Sequence, residues 1–301
     1  MVRLGYRRDD MGRKKTPHNL REEAEDFDKQ VAERLSLNQV PDLRRLQFVE
    51  VLYNLLTQAK EAYKREGIYH VICSGIKLIY DFTYYMFFVR LRHLALFTFQ
   101  GQTYSYFYSA YSATWKNERA VEIPIVLREI ESCRGSTILE VGNVLSQYVH
   151  FRHDIVDKYE QSPGVINEDI VDFQSSNKYE LIVSISTLEH VGQSEEPKQP
   201  EKILMALNNL VEHLLSPQGR MVVTLPYGYN PGVDKLLIEN KLCFTKRFYL
   251  KRISRRNEWV EVGWDKVKGA KFNTPFQNAN VIVIGIFDKP PEKHFAEREK
   301  V

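Results

Sequence analysis

The chain has 301 residues, 43% of them hydrophobic and 27% charged, with a formal net charge of +3. That balance suits a globular protein with a sizeable core, and excludes a disordered polyelectrolyte or a strongly basic nucleic-acid binder. Its three cysteines, Cys73, Cys133 and Cys243, stand singly, which excludes a disulfide framework and points to a reducing, cytoplasmic setting.

Residues 1–18 are polar and basic, with Arg3, Arg7, Arg8, Arg13, Lys14 and Lys15 outnumbering Asp9 and Asp10, and are read as a disordered tail. The first thirty or so residues contain no apolar signal-peptide core. Asn19 to Leu35 is charged and helix-prone. A clearer helix opens at Pro41 and Asp42, where Leu43, Leu46, Val49, Leu52, Leu56, Ala59 and Tyr63 recur at helical spacing up to Gly67. Ile68 to Phe99 is the most apolar part of the chain, and Ile68 to Val89 is long enough to span a bilayer. Lys77 and Asp81 sit inside it, each costing about 2.5–3.5 kcal/mol at a bilayer centre, and as an i,i+4 pair they can bond on a helix. A helix packed on the protein's own sheet, or lying on a membrane surface, is therefore expected in place of a span.

Phe99 to Trp115 is dense in tyrosine, with Tyr104, Tyr106, Tyr108 and Tyr111 alternating with small polar residues. Amphipathic rings of this kind line clefts, although the alternation equally fits a hairpin. Glu118 to Ile130 reads as a helix that Pro124 should kink or divide.

From Ser136 to Gly192 the pattern changes. Four short β-branched runs follow one another: S-T-I-L-E-V-G-N, H-D-I-V-D-K-Y, G-V-I-N-E-D and Y-E-L-I-V-S-I-S-T-L-E-H-V-G. Continuous apolar runs are the mark of parallel strands buried on both faces. Three of them close on an acid, at Glu140, Asp157 and Asp169, and ligands of such sheets bind outside the carboxyl ends of the strands. A polar loop, Gln193 to Glu201, then leads to an amphipathic helix from Lys202 to Leu215 that Ser216, Pro217 and Gly219 should stop. Arg220 to Leu225 reads as a fifth strand, followed by the loop P-Y-G-Y-N-P-G-V-D, and Phe248 to Ile253 and Val281 to Asp288 as the last two. W-V-E-V-G-W-D and Lys266 to Lys271 are read as a surface insertion.

These motifs resemble, in order, the core of the class I S-adenosylmethionine-dependent methyltransferases, over about Val121 to Asp288. L-E-V-G is similar to the start of that family's first motif, V-D to the acid after the second strand, E-D-I to the adenine loop, and S-T-L-E-H-V-G to the turn after the fourth strand. The resemblance implies an α/β fold: a Rossmann-like, mostly parallel seven-stranded sheet with helices on both faces. It places the core at 118–289, a helical and aromatic N-terminal extension acting as lid or docking surface at 19–117, and a charged tail at 290–301. It also implies S-adenosyl-L-methionine as cofactor. Glu140, Gly142 and Asn143 would shape the turn at its methionine end, with Ser186 beside it. Asp157 would accept the ribose hydroxyls, and Asp169 and Ile170 would meet the adenine. The chain departs from the family's E-x-G-x-G-x-G at Val144 and Ser146. Asn143, which tolerates a left-handed conformation, is expected to supply the turn instead.

His190, which titrates near neutrality, is the expected general base, with Glu189 orienting it. Tyr111, Trp115, Arg119, Tyr227, Tyr229 and Asn230 are the candidate acceptor contacts. His150, His153, Asp154 and Asp157 would alternate faces along a strand, so no metal is expected. The fourth strand's end lacks the N-P-P-Y of amino-group methylation, which favours a hydroxyl. T-W-K-N-E-R-A-V-E-I-P and V-S-I-S-T-L-E-H-V-G resemble bacterial and archaeal proteins associated with surface glycans. The expected acceptor is thus a small molecule, glycan or glycolipid, with peripheral contact at the inner face of the membrane and no nucleic acid. A lipid-modifying enzyme resembling cyclopropane synthases, or a non-catalytic partner with the same fold, are the alternatives.

Overall fold

The computed structural model describes residues 95–109, 111–133, 136–149, 151–193 and 195–290, with scattered helical positions between 64 and 84. The basic tail, most of the N-terminal helical extension, the Lys77–Asp81 pair, His150 and the charged C-terminal tail lie outside the described residues. Among those described, no helix is long and apolar enough to cross a membrane.

The elements in chain order are β1 (Leu96–Phe99), β2 (Gln102–Ser105), α1 (Arg119–Ser132), β3 (Ile138–Val141), β4 (Asp154–Val156), β5 (Val165–Ile166), β6 (Tyr179–Ile185), α2 (Lys202–Asn208), β7 (Leu215–Pro226), α3 (Pro231–Ile238), β8 (Lys246–Arg252), β9 (Trp259–Val262) and β10 (Val281–Asp288). Strands β3 to β10 form one sheet in the order β5-β4-β3-β6-β7-β10-β8-β9. The first five in that order are parallel, and antiparallel pairing begins where β10 joins β7. The described sheet has eight strands, not the seven expected. The added one is β9, which lies in the segment read as a surface insertion. Its Trp259 is 2% exposed, and the Trp259 N–H donates to the Tyr106 hydroxyl at 2.8 Å. The β1–β2 hairpin covers that edge, with the Gln100 N–H donating to Glu261 Oε2 at 2.7 Å, so the edge strand is not left open.

Each face of the sheet has its own apolar layer. On one, α1 and the hairpin residues Phe97, Phe99, Tyr104 and Tyr106 pack with Leu181, Val183, Val222 and Ile284. On the other, Ile203, Ala206 and Leu207 of α2 and Val233, Leu236 and Leu237 of α3 pack with Ile182, Val223 and Val283. From Leu181 on, the odd and even residues of β6 divide between the layers as a period of two requires, after an irregularity that puts Tyr179 on the side of Ile182. The tyrosine-rich segment is thus partly core, through Tyr104 and Tyr106.

Pro124 does not break α1, which runs unbroken from Arg119 to Ser132. A proline removes the N–H that would bond the carbonyl four residues back, here that of Ala120. Phe107 replaces it, its N–H donating to Ala120 O at 2.9 Å. Helix α2 is also shorter than its apolar pattern, because Asn209–Leu214 continues as a π turn. Within that turn the Asn209 amide donates to the carbonyls of Ile170 and Phe173.

Glu122 joins α1 to the sheet. Fully buried, it accepts from the Ser186 and Thr224 hydroxyls beyond β6 and within β7 and from Arg119 at 2.7 Å. Removing one partner of such a set leaves the others buried and unpaired. Glu122→Ala is expected to lower unfolding free energy by about 3–5 kcal/mol and Glu122→Gln by less. A urea titration showing Glu122→Ala within about 1 kcal/mol of the parent would refute the clamp.

Candidate active site

The carboxyl ends of β3, β4 and β6 open into one cavity of about 490 Å³, within the range that suits a cofactor-sized ligand. Gly142, Asp157, Asp169, Ile170, Thr187 and His190 are among the residues that line it. Gly142 is at φ +88°, and a Cβ there would lie 2.2 Å from Thr187 Oγ1, so both the turn and the approach of the β6 loop require glycine. Asn143 does not take the left-handed turn expected of it. Gly142 does, and the Asn143 side chain instead donates to Glu160 Oε1 at 2.6 Å.

Glu140 is fully buried. Its Oε1 accepts from the N–H groups of Val144 and Leu145 at 2.9 and 2.7 Å, and its Oε2 lies 2.7 Å from His153 Nε2. Two loop amides are therefore turned back onto a strand-end acid, which lets a loop with Val144 and Ser146 close as a short 3-10 turn, Leu145–Gln147. With His153 on Glu140, and Asp154 Oδ2 accepting from the Tyr179 hydroxyl at 2.9 Å, those side chains serve the fold.

Asp157 follows β4. Its Oδ1 accepts from the N–H groups of Tyr159 and Glu160, and its Oδ2 makes a longer bond of 3.3 Å with the Asn143 N–H. Asp169 is more heavily engaged, with Lys158 Nζ at 2.9 Å and Lys202 Nζ at 2.7 Å, both on Oδ2. Glu195 receives the same two lysines. Four charged side chains from four segments thus meet at one rim of the cavity. Burial works to raise the Asp169 carboxyl, but the hydrogen bonds from Lys202 and Lys158 outweigh it and hold it at about 2.

Ser186 follows β6 at φ +40°, a conformation that costs a non-glycine residue free energy. It is held there by its hydroxyl on Glu122 and its N–H on Thr224. The next turn carries Glu189 and His190. Glu189 Oε1 is 3.7 Å from His190 Nε2, and the Tyr229 hydroxyl is 3.4 Å from His190 Nδ1. Glu189 is 2% exposed and its Oε2 has no hydrogen-bond partner. Burial pushes its carboxyl up to about 8, with Glu122 and Glu118 adding to the rise and Arg119 opposing it. Burial, with Arg119, lowers the His190 imidazole, which keeps it neutral and able to accept a proton near pH 7.

Arg119, Ser186, Glu189, His190 and Tyr229 therefore come together. Arg119 donates to Glu122 and to the Ile185 carbonyl. Tyr111 is 49% exposed and packs edge-on against Tyr148, and Trp115 is buried in the Tyr111–Lys116 turn. Tyr227 lies apart, in the α2–α3 core layer with its ring edge-on to Trp264. Asn230 caps α3 and donates to the Glu189 carbonyl, so it supports the turn that carries Glu189 and His190. Sequence reasoning passed over Lys158, Glu195, Lys202 and Glu122. Only Glu122 carried a local signal, a lone acid within the apolar run A-V-E-I-P-I-V.

No family model matches the chain, and no curated protein matches it. Among solved structures, similar folds include the N-methyltransferase NodS from Bradyrhizobium japonicum, in complex with S-adenosyl-L-homocysteine. It is 14% identical with a TM-score of 0.35, over 55% of this chain and 84% of that one. A SAM-dependent methyltransferase from Thermotoga maritima is 10% identical with a TM-score of 0.33, over 54% and 86%. An S-adenosylmethionine-dependent methyltransferase from Clostridium acetobutylicum is 10% identical with a TM-score of 0.30, over 55% and 89%. Likenesses of this size concern the fold alone, and the reading of the site rests on its own geometry.

The ion pairs predict a titration. Asp169, held low, contributes stability above its ordinary value near 3.8 that is lost as pH falls towards about 2. The carboxyl signal of Asp169, followed by NMR, should titrate near 2 in the parent and move up in Lys202→Met. An unchanged midpoint in the variant would remove Lys202 from the account.

Proposed function

We propose that the chain is an S-adenosyl-L-methionine-dependent methyltransferase acting on a hydroxyl of a small-molecule, glycan or glycolipid acceptor. The observation that carries this is the convergence of Gly142, Asp157, Asp169 and His190 on one cavity at the carboxyl edge of a largely parallel sheet. Ligands of doubly wound sheets bind at that edge. The residues fit the cofactor: Gly142 leaves room for close approach, Asp157 Oδ2 has acceptor capacity beyond its one long bond, and Ile170 offers an apolar wall. Asp169 Oδ2 is taken by Lys158 and Lys202, and an adenine amino group would meet Oδ1, which accepts the Val171 N–H at 3.1 Å and keeps a second lone pair.

When bound, the cofactor supplies an activated methyl group on a sulfonium. The protein then has to align the acceptor and remove its proton. Neutral His190 accepts that proton, with Glu189 beside Nε2 and Tyr229 beside Nδ1 to orient the ring. The Glu122 clamp holds the end of β6 at the point where these groups turn into the cleft. One observation favours a non-catalytic reading: the amides of Val144 and Leu145 are turned to Glu140 and not to the cleft.

Calorimetry separates the two. The parent should bind S-adenosylmethionine, and Asp157→Ala should weaken binding by about 1.5–3 kcal/mol while remaining folded by circular dichroism. Failure of the parent to bind would favour the non-catalytic reading. His190→Ala should leave cofactor affinity nearly intact and lower turnover by about a hundredfold or more. Because the imidazole is held below its ordinary 6.5, the acid limb of the rate profile should fall below that value. An acid limb that persists unchanged in His190→Ala would move the base elsewhere.

A further inference from the structure

The mechanism above uses Glu189 only to orient His190, which leaves its second oxygen unexplained. Three glutamates, Glu118, Glu122 and Glu189, gather at the start of α1 and the end of β6. Glu122 takes Arg119 directly at 2.7 Å, and Glu118 accepts the Ala279 N–H at 3.2 Å. Glu189 has no such partner on Oε2, although it is almost completely buried. An orphaned carboxyl oxygen in such a place is costly unless a ligand completes it. Thr187, His190 and Val191, the residues around it in sequence, all line the cavity, so Glu189 sits behind the wall at the end of β6.

We propose that Glu189 is the counter-charge for the sulfonium of the bound cofactor, a role that rests on the cofactor reading above. The charged and titratable groups around it are Arg119, Glu118 and Glu122 from α1 and its lead-in, His190 on its own turn, and Tyr229 from the loop after β7. Two other acids and one arginine leave the neighbourhood short of positive charge. A cation entering the cavity supplies it, and in a buried setting the attraction is weakly screened. With no cation beside it the Glu189 carboxyl, raised to about 8 by burial, is mostly protonated at pH 7. It loses that proton to solvent when the sulfonium arrives.

The same proton balance closes the reaction. In transfer to a hydroxyl, an O–CH3 bond forms, the S–CH3 bond breaks with its electron pair returning to sulfur, and the hydroxyl proton leaves. His190 takes this proton on Nδ1 and passes its Nε2 proton to Glu189 Oε1, 3.7 Å away. The product sulfur is neutral, and Glu189 is again protonated, so its attraction for the spent cofactor is gone.

The test compares S-adenosylmethionine with S-adenosylhomocysteine, which differ by the methyl group and the charge it confers. Full-length parent and Glu189→Gln protein are titrated with each by calorimetry, in two buffers of different ionisation enthalpy. Glu189→Gln should lose about tenfold or more in affinity for S-adenosylmethionine while changing less than about twofold for S-adenosylhomocysteine. The parent should release a proton on binding the first compound and not the second, and the variant should release none. Equal losses for both compounds, or no loss for either, would overturn the proposal while leaving the cofactor reading in place. Binding of neither compound by the parent would overturn the cofactor reading itself and the proposal with it. Glu189→Asp, which keeps the charge, should retain part of the preference for the charged compound if the variant fold is disturbed in Glu189→Gln.

Discussion

A single buried carboxylate, that of Glu122, ties the covering helix to the ends of the two central strands. It receives Arg119 from its own helix, Ser186 from the end of β6 and Thr224 from β7. A charge in that position is tolerated only because every one of these donors reaches it. The consequence runs outward. With Ser186 held at positive φ, the chain leaves β6 at an angle that brings Thr187 against Gly142 and sets His190 at the cavity wall, with Glu189 behind it. The turn that carries Glu189 and His190 therefore takes its geometry from a hydrogen-bond set that itself lies outside the cavity.

The loop after β3 shows a different solution to a familiar requirement. A strand-to-loop turn over a ligand needs a left-handed residue and satisfied amides. One glycine, Gly142, provides the first. Glu140 provides the second by accepting two loop N–H groups, with His153 completing its other oxygen. This arrangement removes the need for further glycines at positions 144 and 146, and it abbreviates the crossover to a 3-10 turn. The apolar layer that a longer crossover helix would supply comes instead from α1 and the β1–β2 hairpin on the same face.

Charge is distributed unevenly around the cavity. One rim carries two lysines interlocked with two acids, and they neutralise one another. Behind the turn that follows β6, three glutamates share one arginine. Partly exposed pairs of the first kind add little stability individually, but a network of four links segments that are far apart in sequence. Buried acids of the second kind shift their own protonation when left unpaired. The partly exposed network thus holds segments in place, whereas the buried acids depend on what donors reach them.

The sequence by itself determined the parallel core. Runs such as I-L-E-V and Y-E-L-I-V-S-I are short, continuous and β-branched, as strands buried on both faces are, and their closing acids mark the edge at which ligands of such sheets bind. Gly142, Asp157, Asp169 and His190 were legible for the same reason, since strand ends and turns leave local signals. What the tertiary structure alone decided was which side chains those acids would meet. Lys158 and Lys202 engage Asp169 from 11 and 33 residues away, and Glu122 meets Thr224 from 102. No local spacing encodes contacts of that range. The strand character of Trp259–Val262 and the unbroken course of α1 past Pro124 are of the same kind. Each depends on a backbone partner brought by folding, β8 for the edge strand and the Phe107 N–H for the helix. Local propensity yields to tertiary hydrogen bonding wherever a distant group satisfies what the local sequence leaves open.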